Sequence, residues 1–155
     1  MLAALAVVWL GALSVGCWRL IRSDWRSRTL HNADVAFVDV MALVGAIGGA
    51  IASGQSIIIP VAAALVAFAV LAAGYAAGLL GGGDAKVVVA PALLMAGASA
   101  PSWLVFLAVA VVVGSATVIG WARAAPDQRG RGLPLGPLLL AGLPPAMLVE
   151  LILGF

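Results

Sequence analysis

The chain has 155 residues, 65% of them hydrophobic and 9% charged, with a mean hydropathy of +1.21. Soluble domains carry roughly 25% charged and roughly 45–50% apolar residues. A water-soluble globule is therefore excluded, and so is a disordered chain, which is poor in apolar residues by nature. The formal net charge of +2 comes from eight cations and six acids, too few cations for a nucleic-acid surface.

One membrane-spanning helix needs about 20 apolar residues at about 1.5 Å rise each. Six such helices use roughly 120 residues and leave roughly 35 for connections. The chain thus reads as an all-α, polytopic membrane protein, a single domain over residues 1–155 with six transmembrane helices. Met1 to Trp18 is uncharged and just long enough to cross. It has no basic n-region and ends on Trp18-Arg19, which reads as a retained first span rather than a cleaved signal peptide. Arg19 to Asp34 reads as a polar loop. Val40 to Gly83 carries no charge, and as one helix it would extend about 66 Å, twice the hydrocarbon thickness. It must turn back, and Ser53-Gly54-Gln55-Ser56 is the natural place. The second span is expected near Val35 to Ala52 and the third near Ile57 to Leu80.

Gly81-Gly82-Gly83-Asp84-Ala85-Lys86 follows. The next uncharged run, Val87 to Ala122, is also too long for one crossing and is punctuated at Gly97 to Ser102. The fourth span is then short and carries Pro91, and the fifth runs near Trp103 to Trp121. A polar stretch from Arg123 to Arg131 leads to a sixth span, from near Leu135 to the end. All eight Lys and Arg residues flank or occupy the loops after spans one, three and five. The positive-inside rule then places those loops in the cytoplasm and both termini outside it.

Asp24 and Asp84 are separated by two crossings, so this topology puts both carboxylates at the cytoplasmic membrane face. Two nearby carboxylates do not readily ionise together, so the pair can share a proton. That arrangement suits peptide hydrolysis: one carboxylate takes a proton from water while the protonated partner polarises the carbonyl. Gly81, Gly82 and Gly83 allow a helix to unwind and a substrate backbone to approach closely. By itself such a run is equally a turn, and Asp24 by itself is equally a loop acid balancing Arg22, Arg26 and Arg28.

Gly81-Gly82-Gly83-Asp84-Ala85-Lys86 resembles the Gly-x-Gly-Asp-x-Lys motif of the type IV prepilin peptidases, intramembrane aspartyl proteases that process pilin precursors. Ser23-Asp24-Trp25-Arg26-Ser27-Arg28-Thr29-Leu30-His31-Asn32 is similar to that family's other motif, an Asp before a basic stretch that ends in Ile-Pro-Asn. Leu133-Pro134-Leu135-Gly136-Pro137 resembles its Pro-aromatic-Gly-Pro approach to the last span. His31 stands where the family usually has proline, and Leu135 where it often has an aromatic residue. With one cysteine, Cys17, and a short first loop, the chain resembles the short Flp/Tad-type form without the methyltransferase insert. The resemblance implies an endopeptidase that cuts the leader from a prepilin-like precursor just after a glycine. It implies that Asp24 and Asp84 are the catalytic pair and that the enzyme sits in the inner (cytoplasmic) membrane.

The remaining polar residues fill supporting places in this reading. Arg26 and Arg28 would orient substrate or meet lipid phosphate, or simply set topology. Lys86 would hold Asp84 or a substrate carbonyl, or simply snorkel to the interface. Asp39 lies about 7.5 Å along a helix from Asp34 and is assigned a supporting role. Glu150 is expected as an interfacial acid at the opposite face. His31 has no second soft ligand and Cys17 reads as packing, so no metal and no organic cofactor is expected. The expected partners are the precursor protein and the lipid bilayer. The rival reading is a small proton-coupled transporter or assembly subunit with Asp24, Asp39 and Asp84 in an ion path.

Overall fold

A computed structural model of the chain describes residues 2–27, 30–77, 86–123 and 140–153. Among them it is all-helical, with α1 (Leu2–Ser27), α2 (Asn32–Ser53), α3 (Ile58–Ala76), α4 (Val89–Met95), α5 (Ala100–Arg123) and α6 (Leu143–Leu153). The stretch from Arg19 to Ser27, expected as loop, is instead the last part of α1. Leaving the apolar layer does not end a helix; a breaker does, and no Gly or Pro occurs between Cys17 and Ser27. The chain next reverses at His31, which is extended at φ −70° and ψ 126°.

Prolines mark where α3, α4, α5 and α6 begin. Pro60, Pro91, Pro101, Pro144 and Pro145 all lie in the first turn of a helix, where the missing N–H leaves no bond unmade. This accounts for the outcome at the last expected span. Leu140 is helical, but the chain turns at Ala141 and Gly142 and a fresh helix starts at Leu143. Two adjacent prolines cannot sit inside a continuous helix, so the expected single span from Leu135 is broken there. Between α2 and α3 the reversal is at the predicted place, with Gly54 left-handed at φ 68°. That conformation costs a side-chain-bearing residue energy and glycine almost none.

α1, α2, α3 and α5 are long and apolar enough to cross a membrane. Their outward faces are apolar too: Leu65, Val66 and Val70 on α3, and Leu104, Val111 and Val112 on α5, are each more than 60% exposed. In water every such side chain forgoes about 1.5–3 kcal/mol of burial, whereas lipid solvates it without loss. The chain is a membrane protein. At about 1.5 Å per residue, α4 and α6 extend roughly 10 and 17 Å, short of the ~30 Å hydrocarbon layer.

α1 and α2 are antiparallel neighbours. Arg19 pairs with Asp34 at 2.9 Å, Gly16 faces Phe37 and Val38, and Trp9 Nε1 donates to the Met41 carbonyl at 2.7 Å. α4 packs on both α2 and α3, and α6 packs on α5, α1 and α4. The core between them includes Leu13, Cys17, Leu20, Val38, Ala42, Met95, Leu143 and Met147.

Close approach of α1 to α2 depends on Gly45, because a Cβ there would collide with the Trp9 ring. Small residues let membrane helices meet backbone to backbone. Gly45→Ala is expected to displace the indole and cost about 1–3 kcal/mol of overpacking. The check is the midpoint of thermal unfolding in detergent, and an unchanged midpoint would show that the contact contributes nothing.

Candidate active site

Buried residues on α1 recur at Leu13, Cys17, Leu20 and Asp24, the alternating four- and three-residue spacing of one helix face. Asp24 thus takes the next inward position of an apolar stripe and is only 8% exposed. Arg22 and Arg26, each two residues away, lie about 200° round the helix and are exposed. The carboxylate faces the bundle and the guanidinium groups face out. Asp24 makes a polar interaction there, as a buried carboxylate must to offset its lost hydration.

At the same end of the bundle, Lys86 Nζ donates to Asn32 Oδ1 at 2.9 Å. Asn32 closes the first motif and Lys86 closes the second, so one hydrogen bond joins the two across 54 residues of sequence. The Arg19–Asp34 pair stands beside them on α1 and α2. With Arg19 65% exposed, this bridge is worth about 0–1 kcal/mol and mainly sets register. Arg28, Gly81, Gly82, Gly83 and Asp84 lie outside the described residues; Arg26 is exposed in the last turn of α1.

Asp39 is deeper. The antiparallel register sets it level with Ser14 on α1, roughly 15 Å along the axis from Asp24. Its carboxylate faces the backbone of Ala90, in the first turn of α4. Asp39 thus stands at the start of a short helix that Pro91 opens. Its place in sequence could not reveal this, because the group it faces is backbone on another element.

Glu150 differs most from its expected role as an interfacial acid. It is 7% exposed, and its Oε1 accepts the Ser99 backbone N–H at 2.5 Å. The hydroxyls of Ser99 and the fully buried Ser102 stand beside it, and the two Oγ atoms are 3.1 Å apart. The carboxylate thus sits at the N-terminus of α5, where orphan amides and the helix dipole favour negative charge. Gly97 in this turn lies near Gln55 of the α2–α3 turn, at the end of the bundle away from Asn32 and Lys86. The Ser-Ala-Pro-Ser run after Gly97 signalled a helix start but not its partner on α6.

Among the described residues no three His, Cys, Asp or Glu side chains are grouped so as to hold a metal. Comparison of the chain with family models, curated protein sequences and solved structures finds no match.

Proposed function

We propose that the chain is a membrane aspartyl endopeptidase of the type IV prepilin peptidase kind, in the short Flp/Tad form. The observation that supports it best is the Lys86–Asn32 hydrogen bond, which brings together the closing residues of the two motifs that carry Asp24 and Asp84. Asp84 is joined to Lys86 through one intervening residue, and Asp24 faces inward on the helix that precedes Asn32.

In this mechanism one carboxylate is ionised and the other protonated. The ionised group takes a proton from water as the water oxygen bonds to the scissile carbonyl carbon. The protonated group hydrogen-bonds the carbonyl oxygen and stabilises the charge that develops on it. When the tetrahedral species collapses, the C–N bond breaks and the departing amine takes up a proton from the dyad. No metal or cofactor takes part. A Gly81-Gly82-Gly83 run can unwind and would let an extended substrate strand come close, and Lys86 would orient it. Asp39 is kept out of the pair by its depth and by its place against Ala90.

The proposed topology has six crossings, both termini outside, and the site at the cytoplasmic face of the inner membrane. The test of function is incubation of purified protein with a prepilin-like precursor and location of the cut by mass spectrometry. A single cut directly after a glycine at the end of a basic leader is expected. Absence of cleavage combined with proton flux in liposomes would favour the ion-path reading, for which the half-buried Asp39 is the main support. Orientation has its own check. Ser27, exposed at the end of α1, replaced by cysteine should react with a membrane-impermeant thiol reagent only from the cytoplasmic side. Labelling from outside would overturn the topology.

A further inference from the structure

We propose that the C-terminal end of α1 binds the phosphate headgroup of an anionic phospholipid, held by Arg22 and Arg26 between Trp18 and Trp25. These four residues and Ile21 line a concavity of about 500 Å³. Arg22 and Arg26 are one helical turn apart on the exposed face, a like-charge pair that repels until an anion lies between them. Among the described residues neither forms a salt bridge, whereas Arg19 is paired with Asp34.

Depth identifies the occupant. The uncharged part of α1, to Trp18, rises about 26 Å and takes up most of the hydrocarbon layer. The next turns, from Arg19 to Arg26, fall at the level of the headgroups. Trp18 and Trp25 are 61% and 52% exposed there, where indole rings partition best. Guanidinium groups bind phosphate oxygens in pairs of parallel hydrogen bonds, and the flanking rings shield that contact from water. Trp25 also lies over Gly120, where a Cβ would stand 3.5 Å from the ring. A bound lipid would thus rest against the end of α5 as well as α1.

The test uses the full-length protein in phosphatidylcholine vesicles containing a minor fraction of phosphatidylglycerol. Bromine is placed on the acyl chains of one lipid or the other, at equal mole fraction. Brominated phosphatidylglycerol should quench tryptophan fluorescence about twofold more than brominated phosphatidylcholine, because anionic lipid is enriched beside the basic pair. The excess should vanish in Arg22→Gln/Arg26→Gln and persist in weakened form in Arg22→Lys/Arg26→Lys, which keeps the charge. Both positions are exposed, so neither change disturbs packing. Equal quenching by the two lipids, or an excess that survives in the glutamine variant, would overturn the proposal. So would loss of the excess on adding inorganic phosphate but not chloride of equal ionic strength, which would assign the pair to a soluble anion.

Discussion

Asp24→Asn and Asp84→Asn are each expected to lower leader cleavage by about 10⁴-fold or more, and the double variant no further, because members of a catalytic unit fail together. Asparagine keeps the size and an acceptor oxygen but cannot exchange the proton that the two carboxylates share. Both variants should still insert. At position 24 the amide retains polar contact where a buried carboxylate now sits. Asp39→Asn is expected to lose little, since the residue lies roughly 15 Å along the helix axis from Asp24 and the amide keeps its size and an acceptor oxygen. Asp34→Asn should also keep activity, having lost only a largely solvated bridge to Arg19. The wild-type rate should fall on both sides of an optimum pH, one limb for each carboxyl group. Cleavage assays on the five variants check this, and full activity in either the Asp24 or the Asp84 variant would remove that residue from the mechanism.

The second large effect concerns stability. Glu150→Ala is expected to destabilise the protein by about 2–3 kcal/mol, because it leaves the Ser99 N–H without its acceptor and the buried Ser102 hydroxyl without the neighbouring carboxylate. Glu150→Gln should cost about 1 kcal/mol, since its amide oxygen still accepts the Ser99 N–H while the favourable charge at the α5 N-terminus is lost. Thermal unfolding in detergent gives the order wild type, Gln, Ala. An alanine variant as stable as wild type would show that α6 does not hold α5 through this carboxylate. Cleavage is not the readout for this pair, because Glu150 sits at the end of the bundle away from Asn32 and Lys86.

Much of the architecture was legible because bilayer physics writes itself into composition. Four apolar runs longer than a crossing appear as α1, α2, α3 and α5, and the reversal at Gly54 lies inside the predicted Ser53–Ser56 turn. Hydropathy was a poorer guide to where helices stop. It ended the first helix at Arg19, yet α1 runs to Ser27 because charged residues are good helix formers wherever water or headgroups solvate them. It also carried the last span through Pro144-Pro145, where the backbone cannot continue a helix. The local signal there was available and was outweighed by hydropathy.

The inward placement of Asp24 came only with the structure: the charges from Arg19 onward read as loop, whereas α1 carries the face of Leu13, Cys17 and Leu20 on to Asp24. By itself the amino-acid sequence determined the all-helical membrane class and the turns near Gly54 and Gly97, because solvent partition and turn chemistry are local properties of the chain. Only the tertiary structure decided the pairings: Lys86 with Asn32, Asp39 with the Ala90 backbone, and Glu150 with Ser99 and Ser102. Each joins groups about 50 residues apart, and two of the three end on the backbone. Such a partner has no side-chain identity to read, and what brings it within reach is the packing of α4 on α2 and of α6 on α5.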